Sequence, residues 1–402
     1  MRTILKDCLG GKTIGPDEAL RLGSAQAEEL QLLLATAAEL RDQNKGKMVT
    51  FSPKVFIPLT NLCRDFCGYC TFRKAPDEPG AKTMTIDEVL RIVRQGKALG
   101  CTEVLFSLGD KPEAIYPEMK HFLKERGHQR TLDYLYEACK VVLKDTELLP
   151  HSNPGVMGKG DLQRLKEVNV SLGLMLENIS ERLMFAGGAH DNAPDKKPSV
   201  RLRTMAEAGK LSIPFTTGIL IGIGETWAER IDSLLAIRDL HERYHHIQEV
   251  IIQNFRAKPD IPMRDHPDAG HDEMLKTIAL ARVIFGGEMN IQAPPNLTPG
   301  RYELYLNAGI NDWGGVSPLT PDFINPEAPW PALQTLQQKS ADLGFQLKAR
   351  LPIYPEFIVQ GNKFLPAKLL GYIEQWSDQN GFVRDGGPLA IVDADHRSFP
   401  AA

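Results

Sequence analysis

The sequence predicts an α/β fold, a parallel (β/α) barrel, closed or partial, with about six strands, N-terminal helices and a C-terminal cap. Three observations predict it. Short apolar runs alternate with segments of helical periodicity across residues 51–293. Capping signals open the helices, and polar, glycine-bearing loops follow the apolar runs. Strands separated by helices pair in parallel, because each crossover returns the chain to the same end of the sheet. A doubly wound open sheet is the competing arrangement.

Residues 16–45 read as helices, with Ser24 placed to cap a segment in which Leu30, Leu33, Leu34 and Leu40 recur at helical spacing. The first strand is 55–60. Thr85 and Glu88 form a capping box for a helix whose apolar face is Ile86, Val89, Leu90 and Val93. Gly100 ends it, and 102–107 is the second strand. Thr131 caps a helix through Cys139 and Leu143 that leads to a short strand ending near His151. The runs 170–176, 213–221 and 249–253 are the next three strands, and 290–293 is a candidate seventh. A second capping box, Thr226 with Glu229, starts a long helix to about Tyr244. The organisation expected is a helical extension over 1–50, a barrel over 51–293, a cap over 294–385 and a loose tail over 386–402. In a barrel the loops after the strands share one face, where active sites collect. That face would gather the loop after 60, Gly109-Asp110, His151 to Asn153, Glu177-Asn178, 222–225 and 254–256.

Composition narrows the classes. The chain has 402 residues, 42% of them apolar, and a formal net charge of −4. That balance suits a soluble globular protein and offers no basic footprint for nucleic acid. The first residues lack the apolar core of a secretory signal, and no stretch approaches the ~18 apolar residues of a spanning helix. The reading is a cytoplasmic protein without a membrane partner. Cys8, Cys101 and Cys139 have no close cysteine neighbours and read as small buried hydrophobes.

Cys63, Cys67 and Cys70 are different. They stand in Asn61-Leu-Cys-Arg-Asp-Phe-Cys-Gly-Tyr-Cys-Thr-Phe72, a CxxxCxxC spacing. Three close thiolates can hold an iron–sulfur cluster, and a [4Fe–4S] cube normally takes four. A cube held by three leaves one iron open to a small molecule, which points to chemistry rather than electron carriage. An electron carrier would need a fourth ligand, and a structural zinc module would need paired spacings.

CxxxCxxC directly after an initial barrel strand resembles the signature of radical S-adenosylmethionine (SAM) enzymes. Ser107-Leu-Gly-Asp110 resembles that superfamily's glycine-containing segment contacting the methionine amino group. Gly218-Ile-Leu-Ile-Gly-Ile-Gly-Glu225 resembles its GxIxGxxE stretch, and Tyr69 resembles an aromatic position near the adenine. The blocks 55–63, 106–113, 150–155 and 310–317 are similar to the first subunit of FO synthase. The resemblance implies one [4Fe–4S] cluster on Cys63, Cys67 and Cys70, with SAM bound near Tyr69, Ser107, Gly109, Asp110, Glu177, Gly222, Glu225 and Asn254. It implies a lyase that uses a 5′-deoxyadenosyl radical to close the deazaflavin ring of 7,8-didemethyl-8-hydroxy-5-deazariboflavin. The substrate would be a 4-hydroxybenzyl/ribityl-uracil adduct made by FO synthase subunit 2, with ammonia released. An external donor such as ferredoxin or flavodoxin would supply electrons. The partner subunit itself and biotin-synthase-like enzymes are the nearest alternatives.

His151 and Asn153 are the candidate catalytic residues. Each cleft residue also has a plainer reading. Asp110 either contacts a ligand or caps the helix after Pro112, and Glu177 either reaches a ribose or pairs with Arg182. Glu225 can be a helix N-terminal carboxylate and no more. His245-His246 reads as a solvated helix end. Arg64, Arg73 and Lys74 either offset cluster charge or are solvated, and 311–313 either covers substrate or packs the cap.

Overall fold

The computed structural model describes residues 1–384, so the segment expected to be a tail lies outside the described residues. Nine strands form one sheet: β1 (Met48–Thr60), β2 (Glu103–Leu108), β3 (Leu149–Asn153), β4 (Ser171–Gly173), β5 (Phe215–Ile221), β6 (Ile247–Asn254), β7 (Ile291–Gln292), β8 (Asp312–Val316) and β9 (Gln346–Ala349). The order runs from β2 to β8 and then to β1, and β1 also pairs with β2. The sheet therefore closes into an eight-stranded parallel barrel, and β9 adds in parallel to β1. The barrel is closed, with eight strands rather than about six. Its eighth strand, β8, lies within the stretch expected to cap it.

The helices form for the reasons their sequences give. Thr85 accepts a hydrogen bond from Glu88 N while the Glu88 carboxylate accepts from Thr85 N, which fixes the start of the Ile86–Ala98 helix. Its buried face is Val89, Leu90 and Val93. A Cβ on Gly96 would lie 1.9 Å from Val55 Cγ2, so this glycine lets the helix sit directly on β1. Thr226 and Glu229 repeat the box at Trp227–Tyr244. At the N-terminus three helices, Arg2–Leu9, Pro16–Gly23 and Ala27–Lys45, pack on the barrel's outer layer. Ser24 follows the second of them, and Gln26 stands at the N-cap of the third, so Ser24 does not cap it. Nor does Thr131 cap the Thr131–Thr146 helix, where Arg130 holds the N-cap and the Thr131 hydroxyl donates to Glu113. Arg41 joins the third helix to the barrel by donating to Leu306 O and Ile310 O.

Alternation along β1 puts Val55 against the helices and Thr50, Ser52, Lys54 and Phe56 inside. The lower interior is polar where barrels usually hold branched apolar side chains. Arg350, just past β9, pairs with Asp312 at 2.7 Å and Glu249 at 3.3 Å. Tyr354 donates to Glu249 at 2.9 Å. Ser171 bonds His151 Nδ1 at 2.6 Å and donates to Pro352 O. The segment 350–354 thus closes one end of the barrel, and the β1–β2 register from Lys54↔Glu103 to Thr60↔Leu108 brings two loops together at the other.

Candidate functional site

At that open end lies a cavity of about 310 Å³, lined from the loop after β1 and from both cap and barrel. Cys63, Cys67 and Cys70 are free thiols and all three line it. Their loop is pinned from two sides. Phe66 N donates to Asn192 O and Gly68 N to Ala189 O, both at 2.8 Å, and Gly68 O accepts from Met263 N. Cys63 Sγ accepts from Asp110 N at 3.2 Å and Asp65 N at 3.4 Å. Burial pushes the Cys63 thiol up, and these amides act in the opposite sense. Burial raises Cys67 to about 12, against the pull of the Lys196 ammonium. Loading a metal would expel those protons. Three soft donors opening on one cavity, with two amides aimed at the first sulfur, fit an iron–sulfur cluster.

Gly109 makes the approach possible. A Cβ there would lie 2.0 Å from Leu62 O and 2.6 Å from Cys63 Cβ. Asp110 follows it into the wall. Its carboxyl is buried, which raises its pKa to about 6, and Oδ2 accepts from Val156 N at 2.8 Å. The carboxylate therefore serves the 153–156 loop rather than capping the next helix. Tyr69 lines the cavity, bonds His190 Nε2 at 3.2 Å and carries Lys196 Nζ 5.6 Å from its ring centre. Glu177, at φ 63°, also lines it. Its partner is Lys196 at 2.6 Å; Arg182 pairs with Glu229 instead, so the Glu177–Arg182 reading is corrected. The irregular stretch 178–197 folds back to deliver Lys196. Ser107 and Asn153 complete the expected residues found on this wall.

Four expected residues stand elsewhere. Glu225 accepts from Gly222 N and Ile223 N, both at 2.9 Å, and pairs with Arg230, so its carboxylate closes the turn after β5. Gly222 provides the positive φ of 84° that this turn needs. Asn254 donates to Leu297 O at 3.4 Å. His151 lies deeper, against an adjoining cavity of about 90 Å³, and burial lowers its pKa to about 4, so it is neutral.

The flanking residues resolve too. Arg64 binds Asp195 through two nitrogens, and Arg73 stacks 3.7 Å above Phe66 while donating to Glu78 and Tyr116. Neither is simply solvated. Asn311 and Asp312 are held by Arg282 and Arg350, and Trp313 donates to Ser340. All three are buried parts of the barrel. His246 is fully buried, not solvated, because His245 adopts the left-handed conformation and turns the chain inward. Cys101 donates to Lys54 O and Cys139 contacts Ser152, both buried away from the cysteine loop. Lys54, Gln253, Gln292 and Trp330 line the cavity without having been anticipated. A lysine among the apolar residues of 51–59 was the available signal for the first.

The model of the radical SAM superfamily matches residues 57–237. The 7,8-didemethyl-8-hydroxy-5-deazariboflavin synthase of Methanopyrus kandleri is 49% identical over 337 residues, 84% of this chain and all of that protein. The FO synthase of Streptomyces avermitilis is 48% identical over all of this chain and 47% of its own length, and that of Mycobacterium tuberculosis is 45% identical over 97% and 48%. The chain spans about half the length of those two. Among solved structures, HydG, a maturase of the [FeFe]-hydrogenase, aligns with a TM-score of 0.73 at 17% identity, covering 90% of this chain and 78% of its own. Methylornithine synthase (PylB) aligns at 0.66 and 19%, covering 86% and 97%. These two share the fold. The chain belongs to the 7,8-didemethyl-8-hydroxy-5-deazariboflavin synthase family of the radical SAM superfamily.

Proposed function

We propose that this chain is the ring-closing lyase of deazaflavin formation. It would take the 4-hydroxybenzyl/ribityl-uracil adduct to 7,8-didemethyl-8-hydroxy-5-deazariboflavin and release ammonia. The observation that carries the reading is the convergence of three unbridged cysteine thiols on one cavity at the open end of a parallel barrel. Family membership implies an iron–sulfur cluster and SAM; we assign a [4Fe–4S] cube to Cys63, Cys67 and Cys70. When bound, the pair supplies a carbon radical able to abstract hydrogen from an unactivated position.

The chain's own residues do the rest. Asp110 N and Asp65 N orient the Cys63 sulfur. Tyr69, Ser107, Gly109, Asp110 and Glu177 form the wall against which SAM is proposed to lie. The Lys196–Glu177 pair, with Glu177 buried and Lys196 half-buried, keeps that wall rigid and nearly neutral. Asn153 borders the space left for substrate, with His151 behind it at the adjoining cavity. The closed lower end excludes water from a reactive intermediate. The single cysteine triplet favours one half-reaction, with FO synthase subunit 2 supplying the adduct and an external donor the electron. Cys101 and Cys139, buried apart from the triplet, give an auxiliary cluster no ligands.

The test is anaerobic reconstitution followed by incubation with SAM, dithionite and the adduct. Deazaflavin fluorescence with stoichiometric ammonia supports the reading. SAM cleavage without deazaflavin would overturn it in favour of another radical SAM reaction.

A further inference from the structure

Lys54 is the unexplained charge in the cavity. It points inward from β1, is 6% exposed, and lines both the main cavity and the deeper one. Among the described residues its ammonium has neither a hydrogen-bond nor an ion-pair partner. The three nearest carboxylates are committed elsewhere: Glu103 to Ser52, Glu249 to Arg350 and Tyr354, and Asp322 to Asn296 and Asn325. Its ammonium lies instead over ring faces, with Nζ 4.5 Å from the centre of Trp330 and 5.4 Å from that of Phe56. Burial works against its charge, and the carboxylates of Glu103, Asp322 and Glu249 offset that only from beyond ion-pair distance. A buried ammonium with no direct partner is costly, so a chain that keeps one has a use for it.

The surroundings are shaped for this side chain. A Cβ on Gly315 would lie 2.3 Å from Lys54 Cδ and 2.9 Å from Nζ. The glycine in β8 is therefore a slot through which the lysine crosses into the cavity. The neighbouring glycine does the same for a second donor: a Cβ on Gly314 would meet Gln292 Nε2 at 2.1 Å. Gln292 and Gln253 both line the cavity, and among the described residues neither side chain has a hydrogen-bond partner. The Trp330 indole N–H is buried and without an acceptor among the described residues. These groups belong to four separate segments, yet all are unpaired and all but the two amide oxygens are donors. A donor-rich wall calls for an acceptor-rich ligand.

We propose that Lys54 anchors the oxygen-rich pyrimidine–ribityl half of the substrate, donating hydrogen bonds to its carbonyl or hydroxyl oxygens. This inference rests on the proposed function for the identity of the ligand. It assigns the polar half to the β1–β8 side of the cavity and makes Lys54 a specificity residue. Gln253 and Gln292 extend the same contact.

The test uses 6-(D-ribitylamino)uracil, which carries the polar half and no benzyl group. Its dissociation constant is measured by tryptophan fluorescence on the anaerobically reconstituted enzyme with SAM bound. Lys54→Met should weaken it at least tenfold and raise KM for the adduct similarly. Melting temperature should be unchanged or higher. Gly315→Ala, which pushes the lysine out of its slot, should weaken the probe in the same way without removing any donor. A Lys54→Met enzyme that binds the probe within twofold of the parent overturns the proposal, as does a parent enzyme that makes deazaflavin yet does not bind the probe. Loss of probe affinity in Lys54→Met, in an enzyme that makes no deazaflavin from the adduct, would sink the proposed reaction and leave the anchor standing.

Discussion

Gly109→Ala is the sharpest single perturbation of the cysteine site. The new methyl would fall 2.0 Å from Leu62 O and 2.6 Å from Cys63 Cβ, where Cβ contacts below 3.0 Å essentially never occur. The obstacles are main chain and the root of a cysteine, so no flexible tip can swing away. Leu62 and Cys63 must move by at least about 1 Å, several times the ~0.2 Å tolerance of a metal–ligand distance. The overpacking itself should cost about 1–3 kcal/mol. Displacing Gly109 also drags Asp110 N from the Cys63 sulfur it now reaches at 3.2 Å. Iron and sulfide per chain after anaerobic reconstitution, with the paramagnetic resonance of the reduced protein, are the measurements. We expect sub-stoichiometric cluster and a loss of SAM cleavage of tenfold or more, with a folded apoprotein. The control is Gly160→Ala, at which a Cβ meets nothing within 4 Å. In the first turn of the Lys159–Lys166 helix it should be neutral or stabilising by up to ~1 kcal/mol. A Gly109→Ala enzyme with full cluster and parental SAM cleavage would refute the packing argument.

Three further outcomes are expected. Cys67→Ala should abolish deoxyadenosine formation while leaving the melting temperature of the apoprotein within a few degrees, read by anaerobic turnover and calorimetry. Arg350→Met should destabilise by about 3–5 kcal/mol in denaturant titrations, because it strands the buried carboxylates of Asp312 and Glu249. His246 is fully buried, and burial lowers its pKa to about 3. It is neutral when folded and takes a proton more readily when unfolded. Its contribution is complete above the unfolded pKa near 6.5 and is lost as pH falls toward 3, by about 3 kcal/mol at pH 4.5. His246→Phe, which keeps the ring contacts with Phe215 and Tyr244, should flatten acid unfolding by that amount.

β1, β2, β4, β5 and β6 were legible from the apolar runs they hold, and β3 from the Leu148-Leu149 pair that enters it, although β1 starts at Met48, well before its apolar run. β8 was not. Its sequence, Asp312-Trp-Gly-Gly-Val316, reads as a loop because glycine lowers strand propensity. The structure supplies the reason for the two glycines: Gln292 and Lys54 cross the strand where their Cβ atoms would be. β9 is four residues long with one polar residue in each pair, too short for a periodicity to register. The cysteine triplet was readable from spacing alone. Glu177's partner was not, since Lys196 lies 19 residues on, across a stretch of loops and short 3-10 turns. Glu225 shows the converse. A motif position was recognised, but its carboxylate is spent on the turn that follows β5.

β1 carries three neighbours along its length: β9 beside Met48–Phe51, β8 near Thr50–Pro53, and β2 from Lys54 onward. The staple from β9 is made by residues some 280 positions downstream of the cysteines it helps to hold. A chain shortened to end before Gln346 would leave one flank of that strand bare and strip the inner carboxylates of Asp312 and Glu249 of the Arg350 guanidinium. Trimming the far end would thus be felt as poor metal retention long before it was noticed as lost bulk.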